Sequence, residues 1–294
     1  MHVFVAGASG ALGRPLVKQL VAAGHRVTGM TSGRPEVVME LGAEAAVANA
    51  FDPTEVKRVV MDASPDAIVN LLTRIPHTAY PMPARFKENN RLRTVGTRHL
   101  IDAASAAGGP RMLAESITFA FKGRSEENMK PLEGMGQFQT SIEAAVAKEN
   151  MTLEYGGTVL RYGYFYGPGT TFEDAIPKAL RRRTFPILGK GNGWWSLIHV
   201  DDAASATAAA IGLAAPGQIY NICDDEPILA KDALRLIAAA VGAKPPRHVP
   251  AVGPRFAVTY YNHMTGASNS KAKRELGWIP RYPTLKEGYE STIE

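Results

Sequence analysis

Cysteine is all but missing: Cys223 stands alone among 294 residues, so no disulfide can close within the chain and the fold must rest on packing. Excess charge of one sign is missing as well. The 33 basic and 28 acidic residues leave a net charge of +5, spread along the chain apart from the run Arg181-Arg182-Arg183. Such a run at the end of a helical stretch is an exposed face that complements the helix dipole. No nucleic-acid-binding motif or basic–aromatic interleaving accompanies it, so a nucleic-acid partner is not expected. Apolar runs stay well short of the roughly 20 residues of a membrane span. Met1-His2 leads straight into VFVAGA, with no charged and cleavable leader, so a cytoplasmic protein is expected. No clustered metal-ligand pattern is present, and no metal site is expected.

What the chain does have is the apolar content (45%) and charge content (21%) of an ordinary globular protein. Short β-branched runs alternate with Ala- and Leu-rich amphipathic stretches. Strands are expected at His2–Ala8, Arg26–Thr31, Glu44–Ala48, Asp66–Leu72, Arg111–Ile117 and Thr158–Arg161. Helices are expected near Leu12–Ala23, Pro35–Leu41, Pro53–Met61, Ala84–Ala107 and Gly136–Glu149. This alternation predicts an α/β fold, a doubly wound parallel Rossmann sheet with helices on both faces. After Arg161 the texture changes to an aromatic, Gly/Pro-rich segment, YGYFYGPGTTF, and a second Gly-rich loop, GKGNG. In IHVDDAASATAAAI, Asp201 or Asp202 is expected to cap an Ala-rich helix. The division expected is a dinucleotide-binding domain over 1–165, rejoined by about 194–223, and a smaller C-terminal substrate lobe from 166–193 and 224–294.

The strand VFVAGA runs into GASGALGRPLVKQL, which places Gly7, Gly10 and Gly13 at a strand end and at the start of an amphipathic helix. In that context the glycines have separate tasks. Gly7 permits the tight turn, Gly10 lets a pyrophosphate approach the backbone, and Gly13 allows helix and strand to pack closely. Ser9, Leu12 and the free N–H groups of the helix start complete the cradle. The second strand ends in Thr31-Ser32 rather than in the carboxylate that would bind a ribose 2′-hydroxyl. Arg14 and Arg34 flank it, and two guanidiniums beside hydroxyls suit a 2′-phosphate. The pattern favours NADP, with NAD as the alternative.

Taken in order, these segments resemble the extended short-chain dehydrogenase/reductases, the NAD-dependent epimerase/dehydratase family. GASGALG resembles its nucleotide loop, DAIVNLL its fourth strand, VGTRHLIDAA its "GT-x-N-L-L-x-A-A" helix and LRYGYFYGPG its "L-R-P-x-x-x-Y-G-P-G" segment. IHVDD, IYNICDDEP and KAKRELGWIP are similar to further family segments, so the resemblance covers nearly the whole chain. It implies that Asn49 contacts adenine and that Leu72 and Thr73 line the cofactor cleft. Asp52 reads as a helix N-cap, with Glu55 completing a capping box.

The family's chemistry uses a Ser or Thr at the end of the fifth strand and a Tyr-x-x-x-Lys pair on the next helix. The resemblance places Ser116 at the serine, and through the frame "Y-G-x-S-K-x-x-x-E" it places Met135 at the tyrosine and Gln139 at the lysine. Methionine transfers no proton. Glutamine can bond a ribose hydroxyl but brings no charge to tune a neighbour. The chain is therefore expected to be an atypical member. Tyr164 is the first candidate for a replacement acid and His77, in RIPHT, the second. Each has a simpler reading, as an aromatic wall and as a solvated loop residue. Ser116 is expected to donate to a substrate oxygen, while Trp194 and Trp195 could wall the substrate or pack between lobes.

These readings favour an NAD(P)H-dependent oxidoreductase reducing a small, fairly apolar carbonyl, enone or quinone-like compound. Addition of hydride to such conjugated systems delocalises charge and lets water supply the proton. A redox-neutral epimerase or dehydratase and a non-catalytic NADP-binding regulator are the alternatives. The helices Ala84–Ala107 and Ile142–Ala147 could form a homodimer interface, although core-packed helices look the same.

Overall fold

The computed structural model describes residues 1–75, 78–79 and 86–290. His77 lies outside the described residues. Seven parallel strands form the central sheet: β1 (His2–Ala6), β2 (Arg26–Thr31), β3 (Glu44–Val47), β4 (Ala67–Asn70), β5 (Arg111–Ile117), β6 (Thr158–Tyr162) and β7 (Ile219–Ile222). Their spatial order is β7-β6-β5-β4-β1-β2-β3. All six expected strands are present, two of them with the expected bounds, and Ile219–Ile222 adds β7 at the sheet edge. The order reverses between β1 and β4, which makes the crevice at their C-terminal ends the topological switch point.

Burial on both faces explains why the strands read as nearly continuous apolar runs. Val3 and Val5 of β1 face one core, with Leu16, Leu20 and the helix Val200–Leu213. Phe4 and Ala6 face the other, with Val56, Val60 and Leu100. Pro35 and Pro53 each sit in the first turn of their helices, where the missing N–H costs nothing. The Asp52 side chain accepts from the N–H groups of Thr54 and Glu55 at 2.9 and 3.1 Å, confirming the N-cap. The expected capping box does not close: Glu55 reaches the Asn49 N–H instead, at 2.7 Å. Of the expected helix Ala84–Ala107, whose first two residues lie outside the described residues, Lys87 to Ala106 is helical and contains one π-helical turn, Leu92–Gly96. Such turns redirect side chains within a helix, and here Arg93 lies buried against the sheet.

The cap of Val200–Leu213 also differs from expectation. His199 is the N-cap, its Nδ1 accepting from the Asp201 N–H at 3.2 Å. Asp202 is instead used over a long range, its two oxygens accepting from the backbone of Arg281 and Tyr282 at 2.9 and 2.8 Å. It thereby straps the C-terminal segment onto the start of this helix, next to the short parallel ladder that pairs Tyr166 with His199. Asp224, 2% exposed, sits beneath this strap, and neither of its carboxylate oxygens meets a donor in hydrogen-bonding geometry among the described residues. Burial drives its pKa far up, and Asp202 and Asp225 push the same way; the nearby Tyr166 hydroxyl and His199 backbone oppose them. The folded protein thus holds a proton that the unfolded chain releases. Asp224 stability is complete below the ordinary carboxylate range and is lost as pH rises from there toward the raised folded value. Asp224→Asn is expected to melt higher than the parent at about pH 8 and level with it at about pH 4. Thermal melts across that range check this; a gap that does not widen with pH would count against it.

Candidate functional site

At the switch point the three glycines of the loop meet different surroundings. Gly7 has φ +91°, and a methyl there would lie 2.8 Å from the Leu71 carbonyl oxygen. A methyl on Gly13 would collide with the carbonyls of Gly7 and Ala8, so the helix Gly13–Ala22 lies directly against the loop. Gly10 differs: its missing side chain would meet only the Gly7 oxygen, at 3.1 Å, and otherwise faces open space. A diphosphate can therefore reach this backbone, and the residues present fit a dinucleotide. Leu72 is buried and Thr73 half-buried where β4 ends across the crevice. Leu72 is fixed by its N–H donating to the Asn70 side chain at 3.1 Å.

The two expected arginines part company. Arg34 is exposed and donates to the Ser9 carbonyl at 3.0 Å, beside the 2.9 Å Ser9–Thr31 hydroxyl pair. This clusters Ser9, Thr31 and Arg34 where β2 ends. Arg14 points elsewhere: its guanidinium lies against Gly169 in the Gly-Pro-Gly turn. Asn49 is exposed beyond β3, its side-chain oxygen accepting from the Phe51 N–H at 3.0 Å. Gln139 is half-buried and folds back locally, accepting from the Met135 N–H at 3.1 Å. Met135 itself is buried among Phe121, Met129, Phe138 and Met264.

Ser116 is buried and already hydrogen-bonded. It is 1% exposed, and its hydroxyl donates to Glu149 at 2.5 Å. Glu149 also accepts a bidentate pair from Arg161, at 2.8 and 2.7 Å. Beside them Glu115 pairs with Lys148 at 3.0 Å and with Arg93 at 3.7 Å. Burial works to raise the Glu115 pKa, but Lys148 and Arg93 together outweigh it and hold the carboxyl below its usual range. These five charged groups lie under the ends of β4, β5 and β6, and sequence reading missed them. The signal was a charge inside each of two apolar strands, Glu115 in RMLAESI and Arg161 in TVLRY.

Beyond β5 the chain makes a short 3₁₀ turn, Thr118–Ala120, and it is Thr118 that lines a narrow pocket. Its volume is about 10 Å³, room for about one water molecule, and it is walled by Phe119, Trp195, Tyr260 and Met264. Trp194, 46% exposed, stands at its rim. Two other lining hydroxyls are spent on backbone: Ser196 accepts from the Ala267 N–H at 2.6 Å, and Thr265 bonds both backbone groups of Gly123. The hydroxyls of Thr118 and Tyr260 have no hydrogen-bond partner among the described residues. Tyr164 sits behind this wall, 5.3 Å from Phe119 and 5.2 Å from Phe172 by ring centroids. Burial pushes its phenol above the ordinary value, opposed by a bond to Thr171, which suits a wall better than an acid.

A doubly wound sheet with a phosphate-accessible glycine loop at its switch point defines a dinucleotide-binding α/β protein of the Rossmann kind. More narrowly, the chain belongs to the NAD dependent epimerase/dehydratase family, whose model matches residues 3–223. It is 36% identical to a 3-diazoavenalumate denitrifying reductase from a Streptomyces species, over 98% of this chain and 99% of that one. It is 26% identical to a UDP-glucose 4-epimerase of Mycolicibacterium smegmatis, over 100% and 98%. In fold it matches the UDP-glucose 4-epimerase of Thermus thermophilus, solved with NAD, at TM-score 0.80 and 21% identity, covering 100% of this chain and 98% of that one. No helix among the described residues is long and apolar enough to cross a membrane.

Proposed function

We propose that this protein is an NADPH-dependent reductase of a small, fairly apolar acceptor of the carbonyl, enone or quinone-like type. The observation that carries this reading is the crevice at the end of β5, whose lining is uncharged and offers two hydroxyls without a partner among the described residues, Thr118 and Tyr260. When bound, the reduced nicotinamide supplies a hydride. Thr118 would donate to the acceptor oxygen and orient it. Met135, at the position the resemblance gives to the family's tyrosine, contributes apolar surface only. With no acid of matched pKa at hand, the fitting acceptors are those that spread incoming charge over a conjugated system and take their proton from water. The Streptomyces relative supports this, because its name describes a reductase that acts on a diazo compound rather than on a nucleotide sugar.

The epimerase relatives supply the second reading, a redox-neutral reaction. A nucleotide sugar would bring a diphosphate, and burying its charges unpaired is costly, yet no basic residue lines the pocket among the described residues. Turnover of NADPH with quinones and enones separates the two readings, since a redox-neutral enzyme consumes none. For the nucleotide itself, Arg34→Ala is expected to weaken NADPH on the order of tenfold, the scale of one charge-assisted hydrogen bond. NADH affinity should change less than about twofold. Fluorescence titrations of both nucleotides check this; equal losses would remove Arg34 from the 2′-phosphate.

A further inference from the structure

We infer that one water molecule, held between the hydroxyls of Thr118 and Tyr260, is the proton source of the reduction, and that Thr118 passes its proton to the acceptor. The inference rests on the reductase reading of the crevice and deepens it by naming where the proton comes from and which residue, Tyr260, positions it. At about 10 Å³ the crevice takes about one water molecule, so a water and not the acceptor fills it. A buried water needs about two to four polar partners. Ser196 and Thr265 are already bonded to backbone, which leaves Thr118 and Tyr260 to hold it. Thr118 is 3% exposed, and a buried hydroxyl left without a partner costs about 1–3 kcal/mol. A water that bonds it removes that cost. Tyr260 is fixed by its neighbours. Trp195 stacks on its ring at 4.8 Å and donates its indole N–H to the Tyr260 carbonyl at 2.9 Å. Phe256, Phe119 and Tyr164 pack around the ring at 6.0, 6.1 and 6.4 Å. The ring is thus fully used in packing, and the hydroxyl is the part of the side chain left to bind.

A hydroxyl can accept one hydrogen bond while donating another, and that makes a relay. Burial pushes the Tyr260 phenol well above its ordinary value, so Tyr260 keeps its proton at neutral pH and donates a hydrogen bond to the water oxygen. The water in turn donates to the Thr118 oxygen, and Thr118 donates to the acceptor oxygen. In one turnover the acceptor carbon gains a hydride from the reduced nucleotide, and the acceptor oxygen gains the Thr118 proton. An O–H bond of the water breaks to restore Thr118. A proton from bulk water, arriving past the exposed Trp194 at the rim, restores the crevice water. One hydride and one solvent proton are added in all, and the nucleotide is released oxidised. No side chain ends with a changed charge, so the step needs no acid of matched pKa.

Two readouts test this, one of them independent of turnover. A crystal structure with NADP⁺ is expected to show an ordered water within hydrogen-bonding distance of the Thr118 and Tyr260 hydroxyls. Tyr260→Phe, which keeps the packed ring, is expected to lose that water. In single-turnover oxidation of bound NADPH by an enone, Tyr260→Phe should be about tenfold slower, the scale of one hydrogen bond, at unchanged NADPH affinity. The parent should react more slowly in D₂O than in H₂O, and Thr118→Val, which cuts the relay, should lose that difference. A parent crevice without an ordered water overturns the inference. So does a solvent isotope effect that survives intact in Thr118→Val, since a purely structural role would leave it unmoved. The reductase reading fails differently: the ordered water would be present, yet NADPH would stay reduced with every acceptor, which strikes the relay and leaves the water site standing.

Discussion

Replacing Glu149 with alanine is expected to lower folding stability by about 3–5 kcal/mol, the cost of breaking a buried ion pair from one side. The carboxylate is the only anion bonded to Arg161 among the described residues, and it also takes the Ser116 hydroxyl at 2.5 Å. All three residues are 4% exposed or less. Without it, the guanidinium stays buried with the Phe121 ring, 3.9 Å away, as its remaining partner, and its Nη1 has no acceptor even now. Ser116 also loses its acceptor, and the cavity adds its own term. Glu149→Gln keeps the volume and one acceptor and should cost less. A shift of the urea midpoint at unchanged m-value measures the loss. A value under about 1 kcal/mol, the scale of a surface pair, would mean that the cluster is hydrated in solution.

The second large effect separates two glycines that look alike in sequence. Gly10→Ala is expected to fold, because its methyl meets one carbonyl oxygen at 3.1 Å and otherwise open space. That space is where the diphosphate approaches, so nucleotide affinity should fall on the order of 100-fold, about 2.7 kcal/mol. Gly13→Ala reverses the order of failure. Its methyl would overlap backbone carbonyls of Gly7 and Ala8, which cannot swing aside as a side chain can, and overpacking of this kind costs about 1–3 kcal/mol or more. Stability should drop first, and affinity with it. Melting curves and nucleotide titrations on both variants read the two effects apart. Similar stability losses at both positions would contradict the assignment of Gly10 to the ligand side.

The sheet was legible because its signal is local and repeated: apolar strands bounded by glycine loops and separated by amphipathic helices. β2 and β5 have the bounds their sequences suggest. The caps were less legible, because a carboxylate at a helix start can serve either its own helix or a distant backbone. Asp52 does the first and Asp202 the second. The site was the least legible part. Ser116 and Thr118 would share one face if β5 simply continued, but the turn that begins at Thr118 breaks the alternation and sends the two hydroxyls to different surroundings. Tyr260 carries no local mark either. It packs against Trp195 and Phe119, about 65 and 140 residues away, a distance over which spacing says nothing.

The pocket and the glycine loop meet in one requirement: a reduced nicotinamide bound at the switch point must be oxidised by an acceptor held at Thr118. The direct measurement is a single-turnover experiment in which protein first titrated with NADPH, followed by nicotinamide fluorescence, is mixed anaerobically with a quinoid acceptor. The account predicts saturable NADPH binding in the micromolar range, on the order of −8 kcal/mol, then loss of the fluorescence on mixing, faster than for free NADPH and slowed in Thr118→Val. Bound NADPH that stays reduced in the presence of quinoid and enone acceptors alike would contradict it.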